Sequence, residues 1–145
     1  MTRFIYDNFT KQYLEEVLSK LGEVEPSKKI ISERLEIDVF FTPSPEKKER
    51  LSELGLLGKM LTNITLIEAY HNPVTKEEIM GCMGKLCLVC DEIFRTEKKE
   101  GNSQINWEEL PYLWIITPTA SRQILNFFRV IKDPSKWGEG IYILS

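Results

Sequence analysis

The sequence predicts one α/β domain in which a central mixed sheet is flanked by helices. Two observations support this prediction. Apolar residues recur every three or four positions over residues 4–21 and 76–95, which is the spacing of amphipathic helices. Short runs rich in β-branched and aromatic residues lie between and after these segments, as is typical of strands. Apart from a short segment at 51–60, the predicted order is helix, three strands, helix, strand, helix, strand.

The first half of the chain is predicted to supply one helix and three strands. The helix ends near Gly22, and strands are expected at 23–32, 33–41 and 64–70. Prolines after the second strand precede a charged stretch and one or two short helices within 51–60. The apolar stripe of the first helix is formed by residues at four-residue steps: Ile5, Phe9, Tyr13, Val17 and Leu21.

The second half is predicted to supply a long helix, a strand, a further helix and a last strand. The spacing of Thr75 and Glu78 is that of a capping box, so a helix should begin there. An apolar strand is expected at 112–117, a helix soon after Pro118, and a strand at 141–144. The buried face expected for the long helix is Ile79, Met83, Leu86, Cys90 and Ile93. The three cysteines, Cys82, Cys87 and Cys90, are interpreted as small buried hydrophobic residues.

Length and charge limit the possible functions. The chain has 145 residues and a formal net charge of −3, and its sequence pI is about 5.4. The length suits one domain, 1–145. No apolar run approaches the ~20 residues that span a bilayer, and the N-terminus has no signal-peptide core, so we expect no membrane partner and a cytoplasmic location. The acidic balance weakens, without excluding, binding along many DNA phosphates.

Two carboxylates are the most informative residues for function. Asp38 lies in a strand whose opposite face is apolar, and Glu68 lies in an apolar strand some thirty residues later. Ionised carboxylates inside apolar strands are costly unless they have a partner, a shifted pKa or a metal. If the two strands are neighbours, the pair could share one hard cation such as Mg²⁺. A purely structural pairing, with Arg34 as one partner, is the alternative.

The element order, with an Asp in the second strand and a Glu in the third, resembles the PD-(D/E)xK or restriction endonuclease-like superfamily. The likeness is greatest to nuclease-like and transposase-like proteins of cyanobacteria. It implies an αβββαβ core and Mg²⁺-dependent DNA cleavage. Asp38 and Glu68 would then bind the metal, whereas the family's Lys position is occupied by Tyr70. A phenol supplies no cation near neutral pH.

A replacement cation could come from elsewhere in the chain. Lys85, on the following helix, is the candidate, although a helical wheel places it away from the expected buried face. Arg34 is another, and His71 should point to the opposite face from Glu68. The resemblance therefore predicts a DNA endonuclease-like domain with an impaired or lost catalytic site. The alternative is a non-catalytic module that uses the same fold for protein association, with a homodimer as one form.

Overall fold

A computed structural model describes residues 9, 12–13, 15–17, 19–23, 36–101 and 104–144. The chain divides into two compact units, Met1–Arg34 and Leu35–Ser145. In the first unit, the described residues up to Val17 are helical and form α1, in agreement with the predicted helix. Its stripe residues Phe9, Tyr13, Val17 and Leu21 are exposed. The strand expected at 23–32 lies almost wholly outside the described residues, as does the candidate Arg34.

A three-stranded mixed sheet organises the second unit. Strands β1 (Val39–Phe41), β2 (Thr65–Ala69) and β3 (Tyr112–Ile116) lie in that order across the sheet. β1 pairs with β2 antiparallel, with Val39 opposite Ile67, and β2 pairs with β3 parallel. The predicted α/β class and mixed sheet are therefore confirmed, and β2 is the central strand of the three.

The helix α3 (Lys76–Lys99) connects the two parallel strands. It begins as predicted, because Thr75 accepts from the backbone N–H of Glu78 and the Glu78 side chain accepts from that of Thr75. It runs four residues beyond the predicted end, and basic residues in its last turn suit the negative end of the helix dipole. Its fully buried residues are Ile79 and Cys82. The prediction was wrong for Met83, which is 40% exposed, and for Cys87, which is also exposed.

Two short helical segments connect β1 to β2. A 3₁₀ segment spans Pro45–Leu54 and α2 spans Leu56–Met60, which agrees with the expectation of short helices here. Gly55 joins them at a φ of 61°, in the region that favours glycine. Gly58 packs so closely against the backbone carbonyl of Leu51 that a Cβ would overlap it.

The C-terminal part differs from prediction. The expected helix is the short α4 (Arg122–Phe127), and a further turn, α5, spans Pro134–Trp137. Residues 141–144 do not form the predicted strand, since only Ile143 pairs there, in an isolated antiparallel bridge with Ile131. Gly138 and Gly140 both have positive φ. They turn the chain back towards Ile131, so the final segment meets that residue rather than the sheet edge.

Among the described residues, no helix is long and apolar enough to cross a membrane.

The core of the second unit lies between β2 and the elements that cover it. The buried apolar residues among those described come from α2, β2 and α3 and the turns beside them: Met60, Leu61, Leu66, Val74, Ile79 and Cys82. Two polar residues of β2 are buried with them, Thr65 and Glu68. The hydroxyl of Thr65 donates to backbone carbonyls, whereas Glu68 brings a carboxylate into the core.

Candidate functional site

Glu68 is the centre of the candidate site. It lies in the central strand β2 and is only 2% exposed. Side chains on a strand alternate between faces, so Leu66, Glu68 and Tyr70 share one face. That face meets α3, because both Glu68 and Tyr70 contact side chains of this helix. The sequence thus places an ionisable group beneath a helix, where it needs a partner.

Lys85 is that partner. Its Nζ donates to Glu68 Oε1 at 3.0 Å, and the side chains of Lys85 and Glu68 are 19% and 3% exposed. The helical wheel was therefore wrong to place Lys85 away from the buried face. The cause is the misassigned Met83: the buried side is set by Cys82, with Val89 half-buried beside it. Lys85 follows Cys82 by three positions and precedes Val89 by four, so it lies on the same side of the helix.

Asp38 approaches the site from the neighbouring strand. It lies in a bend immediately before β1, and its Oδ2 accepts from the backbone N–H of Ala69 at 3.0 Å. The antiparallel pairing begins with Val39 opposite Ile67, so Asp38 lies immediately before the first paired residue of β1. The two predicted carboxylates therefore come from neighbouring chain segments. Asp38 is exposed, whereas Glu68 is buried.

Tyr70 is the residue that the resemblance aligns with a lysine of the PD-(D/E)xK superfamily. Its hydroxyl and the Cys82 thiol share a hydrogen bond of 3.1 Å, for which either group could donate. Burial is the main cause that raises the pKa of Tyr70, followed by this hydrogen bond. Tyr70 is consequently neutral near pH 7 and offers no positive charge. Cys82 was not among the predicted site residues, although its position one helical turn after Ile79 could have indicated that it lies on the buried side of α3.

The Cys82 thiol responds to every charged group of the site. Burial is the largest cause that raises its pKa, and the carboxylates of Glu68 and Asp38 raise it further. The hydrogen bond with Tyr70 and the ammonium of Lys85 act in the opposite direction. The contacts that define the site are therefore Glu68 with Lys85 and Tyr70 with Cys82, both between the β2 segment and α3.

A metal site is the use that the sequence predicts for the two carboxylates. Within the described residues, no group of three or more histidine, cysteine or acidic side chains could hold a metal ion. Mg²⁺, however, is commonly bound by one or two carboxylates with water completing its octahedron. Asp38 and Glu68 are two such carboxylates, but Glu68 is already paired with Lys85 and Asp38 accepts from the backbone N–H of Ala69. His71, the other sequence candidate, is exposed in the turn after β2.

Comparison with known proteins gives no relative for this chain. It matches no family model, and no curated protein or solved structure is similar to it at a significant level. The function must therefore be argued from the site itself.

Proposed function

We propose that this chain is a metal-dependent DNA endonuclease-like domain of the PD-(D/E)xK type, in which Lys85 replaces the missing lysine. The observation that carries the proposal is the 3.0 Å contact between Lys85 Nζ and Glu68 Oε1. A lysine from the crossover helix α3 thereby reaches the carboxylate that the resemblance assigns to the metal. Asp38 supplies the second carboxylate, from the segment opposite Glu68.

The strand order supports this proposal. An antiparallel pair is followed by a helix and a parallel strand, which agrees with the later part of an αβββαβ core. Glu68 lies on β2, and Asp38 lies immediately before β1, the antiparallel partner of β2. The first strand of such a core would fall within 23–32, mostly outside the described residues.

The chemistry assigned to each residue follows from its charge. Asp38 and Glu68 would hold Mg²⁺, which when bound polarises the phosphate and activates water. Lys85 would stabilise the negative charge that develops on the phosphate during cleavage. Tyr70 would remain neutral and fix its neighbours through Cys82. No other described side chain is needed for this assignment.

We expect cleavage to be slow. Glu68 is nearly inaccessible to solvent and already carries a cation, so metal must enter a site that is electrostatically satisfied. In this proposal, the impaired site predicted from Tyr70 is a site with low cleavage activity whose lysine comes from α3 instead of the strand. The net charge of −3 also predicts modest affinity for DNA phosphates.

Plasmid nicking tests the proposal. We expect slow, Mg²⁺- or Mn²⁺-dependent nicking by the wild type, and a loss of about a hundredfold or more in Asp38→Asn and Lys85→Ala, as for other groups that stabilise transition-state charge. Lys99→Ala is the matched control, because Lys99 lies on the same helix about 21 Å further along. Absence of nicking in the wild type, or equal nicking in Lys85→Ala, would contradict the proposal.

A second candidate function, self-association, is favoured by the outer face of α3. This face, opposite to Cys82, is formed by Glu77, Met80, Gly84, Cys87, Leu88 and Lys98. Met80 is 53% exposed and Leu88 is 49% exposed. A Cβ at Gly84 would meet nothing within 4 Å, so the glycine is not required by packing in its own domain and would allow another helix to approach closely.

The outer face has an acidic residue at one end and a basic residue at the other, so a second copy of the chain is its best partner. In an antiparallel pair of α3 helices with a two-fold axis near Cys87 and Leu88, Glu77 of one copy lies opposite Lys98 of the other. The two ion pairs and the opposed helix dipoles favour this arrangement. The association module suggested by the sequence would therefore be a homodimer.

Sedimentation equilibrium over a range of concentrations tests the dimer. Leu88→Glu and Glu77→Lys should each shift the protein towards monomer, and the charge-reversed double variant Glu77→Lys/Lys98→Glu should restore association. Leu54→Glu serves as control, because Leu54 is similarly exposed but lies in the Pro45–Leu54 segment. A wild type that stays monomeric at every concentration would rule the dimer out.

A further inference from the structure

A group of lysines and aromatic rings forms a surface near the end of the chain. Lys132 Nζ lies 5.2 Å from the centre of the Tyr142 ring, and Lys136 Nζ lies 5.1 Å from that of Trp137. Lys59, from α2, donates through its Nζ to the backbone carbonyl of Lys136 at 3.0 Å. The three lysines are exposed and the two rings are half-buried. We call this group the lysine–aromatic surface.

The core holds this surface in place. The ring of Trp137 packs edge-to-face on Trp114 of β3, with the ring centres 5.2 Å apart. The indole N–H of Trp114 donates to the backbone carbonyl of Met60, the last residue of α2. Trp114 is in register with Ile67, and side chains alternate along a strand, so Trp114 lies on the sheet face opposite Glu68. The lysine–aromatic surface is therefore separate from the candidate site.

The positive charges of this surface are not neutralised by carboxylates in contact with them. Among the described residues, none of its three lysines forms a salt bridge with a carboxylate. Two acidic residues are close in sequence: Asp133, which accepts from the Ser135 hydroxyl, and the exposed Glu139. Residues 110–139 carry four basic side chains and two acidic ones, although the whole chain has a net charge of −3. Positive charge is thus concentrated here, which favours an anionic partner.

We propose that the lysine–aromatic surface binds single-stranded DNA, with its lysines on the phosphates and its rings against the bases. The inference goes beyond the proposed endonuclease-like function and rests on it only for the choice of DNA. Proteins that bind single strands combine cationic side chains with aromatic rings on which bases stack. Here each ring has an ammonium beside it, so the base and the phosphate of one nucleotide meet neighbouring groups.

The lysines have the mobility that this binding requires. In the free protein, Lys132 and Lys136 lie over the rings in a favourable cation–π position. A lysine has a flexible four-carbon stem, so each ammonium can move from its ring to a phosphate and leave the ring to a base. A duplex keeps its bases stacked inside the helix and presents phosphates alone. Base stacking on the rings therefore favours the single strand.

An anionic lipid surface is the other polyanion that lysines and aromatic rings can meet. Side chains that insert into a membrane project into the boundary between head groups and acyl chains. The rings of Trp137 and Tyr142 are instead half-buried, and each lies beneath a lysine. This arrangement favours DNA, and lipid vesicles enter the test as a competitor.

Fluorescence anisotropy with a labelled oligo(dT) of about 12 nucleotides, in EDTA, tests the binding without metal-dependent cleavage. Lys132→Ala/Lys136→Ala should bind at least about tenfold more weakly than the wild type. Its slope of log affinity against log salt should be lower by about 1.4, since each phosphate contact of a single strand accounts for about 0.7. Lys47→Ala/Lys48→Ala removes the same charge from exposed positions of the Pro45–Leu54 segment and is the control. Equal losses in the two double variants, or no binding by the wild type, overturn the proposal.

Tryptophan fluorescence reports whether bases reach the rings. Oligo(dT) should quench the fluorescence of the wild type, because a base stacks on Trp137. Trp137→Phe keeps an aromatic ring and should lose most of this quenching. Trp107→Phe should retain it, since Trp107 is 69% exposed but lies outside the lysine–aromatic surface. Absence of quenching in the wild type, or full quenching in Trp137→Phe, overturns the proposal.

Two competitors establish the class of ligand. Unlabelled duplex DNA of the same length should displace labelled oligo(dT) less well than unlabelled oligo(dT) does, and phosphatidylserine vesicles should not displace it. Displacement by the duplex that equals that of the single strand, or displacement by the vesicles, overturns the proposal.

The binding assay and the nicking assay have separate outcomes. Binding of oligo(dT) by the wild type without plasmid nicking would support this surface and refute the endonuclease. Nicking by the wild type without any binding of oligo(dT) would refute this surface and leave the endonuclease standing.

Discussion

Glu68 shows how one residue sets the chemistry of its surroundings. A carboxylate in the central strand, beneath a helix, is unfavourable by itself, and the fold provides Lys85 to offset that cost. Buried ion pairs add little net stability compared with apolar residues of similar volume, yet removing one partner costs about 3–5 kcal/mol. The pair is therefore weak evidence for net stabilisation, although the fold depends on both partners being present.

The site residues differ in how far the sequence could reveal them. Asp38 and Glu68 stand out in the sequence because charged residues in apolar strands are rare, and the structure places Glu68 in β2 but Asp38 in an exposed bend before β1. Lys85 was named as a candidate but set aside, and Cys82 was counted only as a hydrophobic residue. Both errors come from the predicted rotation of α3 about its own axis. Turning the helix by one residue, about 100°, replaces Cys82 by Met83 on the buried side. Periodicity alone does not fix that rotation when apolar residues surround the helix.

A lysine at position 70, directly after β2, tests whether a single positive charge beside Glu68 determines the stability of the site. Tyr70→Lys alone should destabilise the protein by about 2–4 kcal/mol. The change places a second ammonium near Lys85, and it removes the hydrogen bond between the Tyr70 hydroxyl and Cys82. Tyr70→Lys/Lys85→Met restores a single cation beside Glu68 and should be more stable than the sum of the two single changes. We expect a coupling of about 1–3 kcal/mol from urea unfolding. Tyr70→Phe/Lys85→Met is the control, and equal coupling in both cycles would show that the charge is not the cause.

Among the elements, α3 positions most of the site. Its start is fixed by the capping box at Thr75, a feature that the sequence shows directly. From that start, about two turns bring Cys82 over β2 and about three turns bring Lys85 there. The prediction of a strand at 141–144 failed for a complementary reason. Its apolar residues are suitable for a strand, but pairing depends on where the preceding turn directs the chain, and here it directs Ile143 to Ile131.

Two glycines in short and long helices should respond oppositely to substitution. Gly58→Ala places a methyl group against the Leu51 carbonyl, which is backbone and cannot yield, so we expect a loss of about 1–3 kcal/mol. Gly81→Ala in α3 meets open space and should gain up to about 1 kcal/mol from helix propensity. Urea unfolding at low protein concentration measures both. If Gly58→Ala left the free energy of unfolding unchanged, the Pro45–Leu54 segment and α2 would be able to move apart at little cost.

Across the whole molecule, all groups of the candidate site fall in the Leu35–Ser145 unit. The sequence predicted the class of fold and the neighbouring positions of Asp38 and Glu68, because hydrophobic periods determine element order. The sequence could not predict which side chains of different elements would meet. The contacts of Tyr70 with Cys82 and of Glu68 with Lys85 join the β2 segment to α3, and they depend on how the two elements pack. Net charge describes the molecule as a whole and says nothing of these local pairs.

Alkaline pH should reveal the buried site through the stability of the entire protein. An unfolded cysteine loses its proton near pH 8.5 and an unfolded tyrosine near pH 10, whereas folding raises the pKa of both Cys82 and Tyr70. Above these pH values the native state binds more protons than the unfolded state, so stability falls as pH rises. The contribution of the two groups is fully present below about pH 8 and is lost progressively above it.

Urea unfolding between pH 7 and 11 measures this dependence. Each group can contribute a slope of at most about 1.4 kcal/mol per pH unit. Cys82→Ala should flatten the decline that begins near pH 8.5, and Tyr70→Phe the decline that begins near pH 10. Tyr112→Phe, which changes an exposed tyrosine, should keep the wild-type profile. If all four proteins lost stability in parallel, the alkaline limit would belong to groups outside the site, and Tyr70 and Cys82 would not be the shielded pair that their contact indicates.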